Sequence, residues 1–563
     1  MTQTPYLAGF GSNLQPFSAA ERARTDDEPS TTSSGFVHEG LFYLSDKQLM
    51  VFKDKEAILL LDGIIYEYEQ RPFSECRARI LADHFRRNGS TVFRELRGEF
   101  SLCFIDIREK RCLIGLSESG AAALFYRLDN QVLHFGNHLA GFAGACRSGP
   151  DLHRIYELIS GIGLGSGRTA YRGVSRLLPG HYLEFRQGVL KRDCYSPLYM
   201  SVRRPWQGDA YAAFRQTFEE SVRRRLDPAS TGIALSSGLD STAVSAVAAC
   251  VADSDRAIHG FSYQPKAFSA ELRRPPYDET LLLKHFYAQH PRLKAHVVDA
   301  AGQTVLESLR STVKIYGEPV YGASNQFWVQ AMHSAMVESG CGTMFTGQGG
   351  NFGLSWPPPE WAGKDLPGRL RLIGRMSRKQ KHELAYLTPA FMEGIVPDFQ
   401  LIDTWRPALH AMQPSLLRNS IAYTGFLQKQ ASLFHGLQVT DPTVDRDLLE
   451  LYLSLPWRAY HRPDGSRLLV RQGLGDLLPP AVLNSVRRGV QAADIQYRVA
   501  QEKKAFIELL GFFNKNKLVT FVFEVDRLRK EWESMNFLSM KRKDLNHLLR
   551  IVLCGIFLSD FTD

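Results

Sequence analysis

The stretch that most constrains the fold of this chain is residues 232–250, which read GIALSSGLDSTAVSAVAAC. Its first residues are apolar, a turn rich in serine and glycine follows, and the remainder is a run of small residues. This order is typical of a buried strand, a loop and a helix that packs closely on a sheet.

The loop of this stretch, residues 236–242, has the chemistry of an anion site. Backbone N–H groups and the positive end of the helix dipole would point at an anion there, and four hydroxyl side chains add donors. The loop suits phosphate or pyrophosphate, and Asp240 suits the Mg²⁺ that accompanies such groups. The Gly-Lys-Ser/Thr ending of a Walker A loop is absent. The structural alternative is a serine-rich turn before a buried helix.

A second stretch, residues 343–351, reads TMFTGQGGN. An apolar strand end precedes three glycines, and glycine allows backbone to approach a ligand closely. From residue 206 onward, helical patterns such as 211–226 alternate with short β runs at 257–263 and 295–299. That alternation is the signature of a parallel sheet with crossover helices.

The first part of the chain has a different texture. Short apolar runs separated by polar turns predict strands, and two helical patterns lie among them, at 74–87 and 151–159. The runs are 40–44, 57–61, 100–105, 112–116, 123–126 and 132–135. With 563 residues, two large domains fit as well as three or four smaller ones. The change of texture predicts domains at 1–200 and 206–563.

Composition is that of an ordinary globular protein, with 44% apolar and 23% charged residues. Lys and Arg outnumber Asp and Glu, which gives a net charge of +9. Because the positive charge is scattered, it favours a solvated basic surface over a binding site for an acidic substrate or nucleotide. Two tryptophans and a basic stretch at 356–381 allow a base-stacking site, but an exposed loop and a solvated helix are favoured. No nucleic-acid partner is expected.

The eight cysteines show no C-x-x-C pair and no regular spacing, which favours reduced core thiols over disulfides or a zinc site. The first residues lack a basic-then-apolar signal pattern, and no apolar run approaches the roughly 18 residues of a membrane span. We expect a soluble, cytoplasmic protein.

These motifs resemble those of the asparagine synthetase superfamily. LSSGLDST at 235–242 is similar to its SGGLDS pyrophosphate loop, and TGQGGN at 346–351 is similar to its GEGSDE element. In the first half, DGIIYEY at 62–68 and LRGEFSLCFID at 96–106 resemble segments of its glutaminase domain. The resemblance implies an amino-terminal Ntn-type glutaminase-like β-sandwich, followed by a doubly wound parallel-sheet ATP-pyrophosphatase domain.

The glutaminase chemistry is not carried over. Such an enzyme needs a cysteine as its first mature residue, and the alignment places Pro5 there, whereas Thr2 lies three residues too early. In the glutamine-binding segment, Asp62 replaces asparagine and Ile64 replaces glutamate. The sequence therefore predicts a glutaminase fold that does not hydrolyse glutamine.

The resemblance implies a set of site residues. Asp240 and Asn351 would bind Mg²⁺. Asp240, Glu318 and Arg487 would be catalytic, with Arg487 in place of a lysine that stabilises charge developing on an acyl-adenylate. Glu318 as a cap or bridge, and Arg487 as a surface residue, are the alternatives. The predicted ATP-binding residues are Leu235, Ser236, Ser237, Gly238, Leu239, Asp240, Ser241, Thr242, Tyr263, Thr346, Gly347, Gln348, Gly349 and Gly350.

The implied function is a ligase that adenylates a carboxylate with Mg-ATP, so that an amine can form an amide. Phe352 replaces the last glutamate of GEGSDE, which argues against plain asparagine synthesis. β-Lactam synthetases and lasso-peptide cyclases also lack that glutamate, but the change excludes one substrate better than it identifies another. Because no glutaminase supplies ammonia, we favour an amine carried on the substrate itself and hence ring closure of a small-molecule or peptide substrate, with a lasso-peptide macrolactam cyclase as the specific expectation. A leader peptidase and a leader-binding protein would be partners. The alternatives are an ammonia-dependent asparagine synthetase, a transamidase of a sugar acid, and a non-catalytic relic that binds nucleotide or a partner.

Overall fold

The computed structural model describes most of the chain. The described residues are 6–11, 34–38, 41–45, 50–69, 71–72, 78–142, 149–196, 198, 206–265, 279–356, 384–395, 409–462, 465–485 and 489–561.

The first half is built from two antiparallel sheets that share a core. Its strands are β1 Tyr6–Gly11, β2 Ser34–His38, β3 Leu41–Ser45, β4 Met50–Lys53, β5 Ala57–Tyr68, β6 Arg71–Pro72, β7 Leu96–Asp106, β8 Arg111–Leu116, β9 Phe125–Asp129, β10 Val132–Gly136, β11 Ser175–Arg176, β12 His181–Arg186 and β13 Val189–Cys194. Among the described residues, one sheet has the order β11-β9-β10-β1-β3-β2 and the other β13-β12-β8-β7-β5-β4, with β6 paired to β5. The helices of this half are α1 Ala78–Asn88 and α2 Leu152–Ser160.

Strand β5 shows why its sequence is an uninterrupted apolar run. Ile58 and Leu60 belong to the core between the two sheets, whereas Leu59 and Leu61 belong to a second core under α1. Because successive side chains in a strand point to opposite faces, a strand buried on both faces needs apolar residues at every position.

The second half is built around a five-stranded sheet. Its strands are β14 Ser230–Ala234, β15 Ala257–Tyr263, β16 Leu293–Val298, β17 Thr343–Phe345 and β18 Gln438–Thr440, and the short pair β19 His461–Arg462 and β20 Gly465–Ser466 lies apart. The five strands are parallel, in the order β16-β15-β14-β17-β18. The direction of winding reverses between β14 and β17, and ligands of doubly wound sheets bind at the carboxyl ends of the strands beside such a reversal.

Helices cover this sheet and extend beyond it. They are α3 Ala210–Arg223, α4 Leu239–Val251, α5 Thr280–Gln289, α6 Val305–Tyr316, α7 Gln326–Glu338, α8 Pro389–Gly394, α9 Leu409–His435, α10 Arg446–Ser454, α11 Leu468–Gly473, α12 Pro480–Leu483, α13 Ile495–Gln501, α14 Lys503–Phe513, α15 Lys517–Val522, α16 Val525–Ser534 and α17 Arg542–Ser559. Within the part of the chain that the structure describes, none of them combines the length and the apolar character needed to cross a membrane.

Most sequence-predicted elements are present, with shifted ends. The strand predicted at 257–263 is β15, and the helix predicted at 211–226 is α3, which begins one residue earlier because the Asp209 carboxylate caps its first turn. Helix α1 is Ala78–Asn88, and the first four residues of its predicted range, 74–77, lie outside the described residues. The strand predicted at 123–126 begins only at Phe125. Such end shifts are common, because helix and strand ends depend on caps and tertiary contacts.

Buried ion pairs connect the two halves. The Asp62 carboxylate on β5 lies 2.6 Å from the Lys429 ammonium on α9, and these residues are 6% and 1% exposed. Other pairs that cross the same interface, all with oxygen to nitrogen distances of 2.8 Å or less, are Glu99 with Arg225, Glu118 with Arg446, and Glu318 with both Arg154 and Arg176. The position at which the sequence departs from a glutamine-binding asparagine is thus part of an interdomain contact.

Candidate functional site

A cavity of about 560 Å³ lies at the carboxyl ends of β14 and β17, beside the start of α4. The loop that follows β14 forms one wall, and Thr346 to Gln348, which follow β17, form the next. The cavity is therefore at the reversal of the sheet, where the fold places ligand sites.

The serines of the loop hydrogen-bond to one another. The Ser236 and Ser241 hydroxyl oxygens are 2.9 Å apart, the Ser241 hydroxyl donates to the Ser236 carbonyl at 3.0 Å, and the Gly238 N–H donates to the Ser236 hydroxyl oxygen at 3.2 Å. Helix α4 begins after Gly238, and no side chain caps it. The uncapped first turn leaves backbone N–H donors for a ligand.

A carboxylate from another element already contacts this loop. Glu279, the residue before α5, accepts a hydrogen bond from the Ser237 N–H and lines the cavity. The contact shows that a backbone donor of the loop faces an anionic oxygen. Sequence reasoning did not select Glu279, because its position 42 residues along the chain from Ser237 carries no signal of contact.

Asp240 and Asn351, the predicted metal ligands, both line the cavity. The Ser355 hydroxyl donates a hydrogen bond to the Asp240 carboxylate, and a Cβ added at Gly350 would lie 3.1 Å from the Asp240 carboxyl carbon. The Asn351 side chain is exposed, and its amide nitrogen donates to the Gln348 carbonyl at 3.3 Å, which leaves the amide oxygen as a possible ligand. One carboxylate with a neutral oxygen, phosphate oxygens and waters is a donor set that fits Mg²⁺.

Tyr263 forms a fixed aromatic wall at the end of β15. Its hydroxyl donates to the Asp494 carboxylate at 2.5 Å, and Asp494 also accepts from the Arg498 guanidinium at 2.6 Å. Burial and the Asp494 charge raise the pKa of Tyr263, so the phenol stays protonated. Its ring lies 5.7 Å from the Trp328 ring. Its predicted place beside a nucleotide is compatible with this geometry.

The glycines after β17 have a partly different role from the predicted one. Gly347 and Gln348 line the cavity, but Gly349 and Gly350 do not. The Gly349 N–H donates to the buried Asp441 carboxylate at 2.7 Å, and a Cβ at Gly349 would lie 2.1 Å from a Val444 methyl carbon. A side chain at Gly349 would clash with Val444, so packing within the protein requires glycine at that position.

Thr242, a predicted ATP-binding residue, also lies behind the cavity. It is completely buried, and its hydroxyl donates back to the Gly238 carbonyl at 2.9 Å. The remaining residues of the predicted loop set, Leu235 to Ser241, line the cavity.

The structure does not support a catalytic role for Glu318. Its carboxylate is completely buried and accepts from Arg154 and Arg176 at 2.8 Å each, and from the Ala170 N–H at 2.8 Å. Burial alone would raise the pKa of Glu318, but the two arginines hold it below its ordinary value. Every oxygen is thus committed to the interface with the first half, and Glu318 does not line the cavity.

Arg487, the other catalytic prediction, lies outside the described residues, as do Thr2 and Pro5. The nearest described residues before and after it, Ser485 and Gly489, both line the cavity. The role of Arg487 stays a prediction.

Several cavity residues were not predicted from the sequence. Helix α7 contributes Trp328 and Met332, helix α9 contributes Tyr423 and Gln428, and Arg467 lies at the start of α11. The Gln428 amide donates to the Thr346 hydroxyl at 3.0 Å and fixes that wall. The four residues on α7 and α9 belong to ordinary helical patterns, which carry no sign of the cavity, and Arg467 precedes a helix.

Two family models match this chain. A family model described as asparagine synthase matches residues 213–537, more than half of the 563 residues, and one described as a glutamine amidotransferase domain matches residues 40–196. The chain belongs to the asparagine synthase family. The predicted fold class, a glutaminase-like domain before a parallel-sheet synthetase domain, is confirmed.

Curated relatives of this asparagine synthase family member are distant. The glutamine-hydrolyzing asparagine synthetase of Sandersonia aurantiaca is 24% identical over 267 residues, which are 43% of this chain and 45% of that protein. The nodule enzyme of Pisum sativum is 22% identical, over 43% of this chain and 41% of that protein. One from Lotus japonicus is 26% identical, over 36% and 32%. The match spans less than half the length of these relatives.

Two solved structures were also similar in part. The allosteric regulatory enzyme of purine biosynthesis has 11% identity, 41% coverage of this chain and 54% of that chain, with a TM-score of 0.21. The glutamine phosphoribosylpyrophosphate amidotransferase of B. subtilis has 10% identity, 61% and 75% coverage, and a TM-score of 0.18. Scores this low support no argument about the present fold.

Proposed function

We propose that this protein is an ATP-dependent carbon–nitrogen ligase that joins a substrate carboxylate to AMP and then lets an amine form an amide. The observation that carries the proposal is the cavity itself, where a serine-lined loop, an uncapped helix start and Asp240 lie together at the reversal of a parallel sheet. This combination fits the polyphosphate of a nucleotide.

In the first step, a carboxylate oxygen attacks the α-phosphorus of ATP and pyrophosphate leaves. Backbone donors and the Ser236 and Ser241 hydroxyls would hold the departing pyrophosphate. Mg²⁺ held by Asp240 and Asn351 would neutralise part of its charge. In the second step, an amine nitrogen attacks the acyl carbon, AMP leaves, and the nitrogen loses a proton.

The source of the amine is the more specific part of the proposal. Pro5 occupies the place of a catalytic cysteine in the sequence, and the Asp62 carboxylate is paired with Lys429 and with the Asn137 amide, which lies 3.0 Å away. Both features argue against release of ammonia from glutamine in the first half. An amine on the substrate itself makes the second step unimolecular, where geometry gives the largest acceleration.

We therefore propose ring closure of a peptide, specifically a lasso-peptide macrolactam, as the reaction. A leader peptidase would then supply the core peptide, and a leader-binding protein would deliver it. The carboxylate and the amine would belong to one chain. Each turnover would therefore remove the elements of one water from the peptide, and ATP would take them up on conversion to AMP and pyrophosphate.

The test uses the full-length protein with Mg-ATP and measures pyrophosphate release and product mass. We expect release only with a core peptide that carries both the carboxylate and the amine, with a product lighter by one water. Asp240→Ala should abolish release, whereas Asp255→Ala, on an exposed turn, should not. Release with aspartate and ammonium would instead indicate an asparagine synthetase, and release with a sugar acid a transamidase. Failure of the folded protein to bind Mg-ATP would contradict the proposal. The remaining hypothesis would then be a non-catalytic relic that binds a partner.

A further inference from the structure

The carboxylate of Asp441 is buried behind the cavity, in the turn that follows β18. The residue is 1% exposed and is not among those that line the cavity. The groups that stabilise its charge are hydrogen-bond donors, and in the described part of the chain they include no lysine, arginine or histidine. A buried carboxylate without a paired cation is costly, so its contacts need an explanation.

Four donors bind the two oxygens of this carboxylate. One oxygen of Asp441 accepts from the Thr443 N–H at 3.0 Å and from the Thr443 hydroxyl at 2.6 Å. The other accepts from the Gly349 N–H at 2.7 Å and from the Thr346 hydroxyl at 3.2 Å. Asp441 therefore connects its own turn to the glycine stretch that follows β17.

The glycine stretch lies between two carboxylates. A Cβ added at Gly349 would lie 3.4 Å from an Asp441 oxygen, and a Cβ added at Gly350 would lie 3.1 Å from the Asp240 carboxyl carbon. Asn351, the next residue, lines the cavity together with Asp240. The backbone that carries one proposed metal ligand is thus packed against the other and is held from behind by Asp441.

The side chain of Asn351 does little to fix its own position. It is exposed, and its amide donates to the Gln348 carbonyl, which belongs to the same stretch. Its place beside Asp240 therefore depends on the backbone. Two residues earlier, at Gly349, that backbone is hydrogen-bonded to Asp441.

The negative charge of Asp441 also favours a cation in front of the stretch. Burial raises the pKa of this carboxyl group above its ordinary value, and the groups that oppose the effect are neutral donors. Charges interact more strongly in a protein interior than in water. A divalent cation held at Asp240 and Asn351 would offset part of this buried charge.

We propose that Asp441 is a positioning residue of the metal site: through Gly349 it holds Asn351 beside Asp240, and its charge strengthens binding of the Mg²⁺ that accompanies ATP. This inference rests on the proposed ligase function, because that function supplies the Mg-ATP. Asp441 touches neither the metal nor the nucleotide and acts through the glycine stretch.

The test compares the full-length wild type with Asp441→Asn. Asparagine has nearly the same shape but offers one accepting oxygen, so one of the two backbone N–H donors loses its acceptor. Calorimetry measures ATP binding over a series of Mg²⁺ concentrations. We expect the Mg²⁺ concentration for half-maximal ATP binding to rise by about tenfold. An unchanged Mg²⁺ requirement in the folded variant would overturn the proposal.

Asp227→Asn is the matched control, because Asp227 makes similar contacts at the opposite end of β17. Its carboxylate accepts from the Ala229 and Ser230 N–H groups at 2.8 and 3.0 Å, and from the Thr343 hydroxyl at 3.4 Å. This variant should lose stability in urea unfolding without a change in its Mg²⁺ requirement. An equal rise of the Mg²⁺ requirement in both variants would show a merely structural role for Asp441 and would overturn the proposal.

Hydrogen exchange in the wild type keeps the test decisive if Asp441→Asn does not fold. Mass spectrometry with residue resolution follows the Gly349 amide in the ligand-free protein. Because Asp441 accepts its hydrogen bond, we expect exchange at least about tenfold slower than in an unstructured peptide, with or without Mg-ATP. Exchange at the unstructured rate without Mg-ATP would mean that Asp441 does not hold the stretch, and would refute the assignment.

Mg-ATP binding by the wild type separates the two proposals. If the folded wild type binds no Mg-ATP, the ligase function fails and the role of Asp441 fails with it. If the wild type binds Mg-ATP and Asp441→Asn needs no more Mg²⁺ than the wild type, only the role of Asp441 fails.

Discussion

At the scale of single residues, two buried histidines make the free energy of unfolding depend on pH. His333 is 3% exposed, and its Nδ1 has no hydrogen-bond partner in the described part of the chain. Burial lowers the pKa of His333 to about 3 and that of His435 to about 4. Both side chains are therefore neutral in the folded protein well below their ordinary pKa of 6.5.

The sign of the pH effect follows directly. Below pH 6.5 the unfolded chain binds protons that the folded chain does not, so the free energy of unfolding falls as the pH falls. Each histidine contributes up to about 1.4 kcal/mol per pH unit. His333→Leu should flatten this slope in urea titrations between pH 4 and 6.5, and His285→Gln, at an exposed position, should not. An unchanged slope in His333→Leu would contradict the prediction.

Sequence patterns place residues together only where those residues are contiguous, and a role in ATP binding stays a prediction. Leu235 to Ser241 are contiguous, and their loop lines the cavity as expected. Glu279, Tyr423 and Arg467 come from distant parts of the chain, and nothing in one sequence shows which helices meet. Glu318 was misassigned because an acid followed by proline has the same pattern whether it faces a cleft or two arginines.

At the scale of elements, α4 explains why the loop is placed so accurately. Ala243, Val244, Ala246 and Val247 are all completely buried, so small side chains allow the helix to lie close to the sheet and the rest of the core. The sequence predicted this packing because small residues continue through the whole helix. Strand order was not predictable, since alternation of β and α specifies parallel strands and not which strands are neighbours.

A larger side chain in α4 should displace it. Ala246→Leu is expected to reduce the free energy of unfolding by about 1–3 kcal/mol, because extra methylenes in a packed core force side chains and backbone apart. Cys250→Leu, on the exposed side of the same helix, is the matched control. Urea unfolding measures both, and equal stability of the two variants would show that α4 packs loosely.

At the scale of the whole molecule, charges hold the two halves together. Lys429→Met leaves the Asp62 carboxylate buried without its cation and should cost about 3–5 kcal/mol of unfolding free energy. Adding Asp62→Leu should recover part of that loss, because two apolar side chains leave no unpaired charge. Chemical unfolding of both variants checks this.

Lys191→Met is the control for the interface prediction. Lys191 forms an exposed pair with Asp193 at 3.5 Å, and exposed pairs contribute about 0–1 kcal/mol. A loss for Lys429→Met no greater than that of Lys191→Met would mean that the interdomain pair does not stabilise the protein.

The interdomain charges also determine how this protein can be dissected. Expressed alone, the second half would present the cations of Arg225, Lys429 and Arg446 to water without their acids. The first half would expose Arg154 and Arg176 without the Glu318 carboxylate. Neither fragment would then report how the intact molecule behaves. Chimaeras built from related proteins would have to exchange each acid and its cation as a unit, because each pair joins one half to the other.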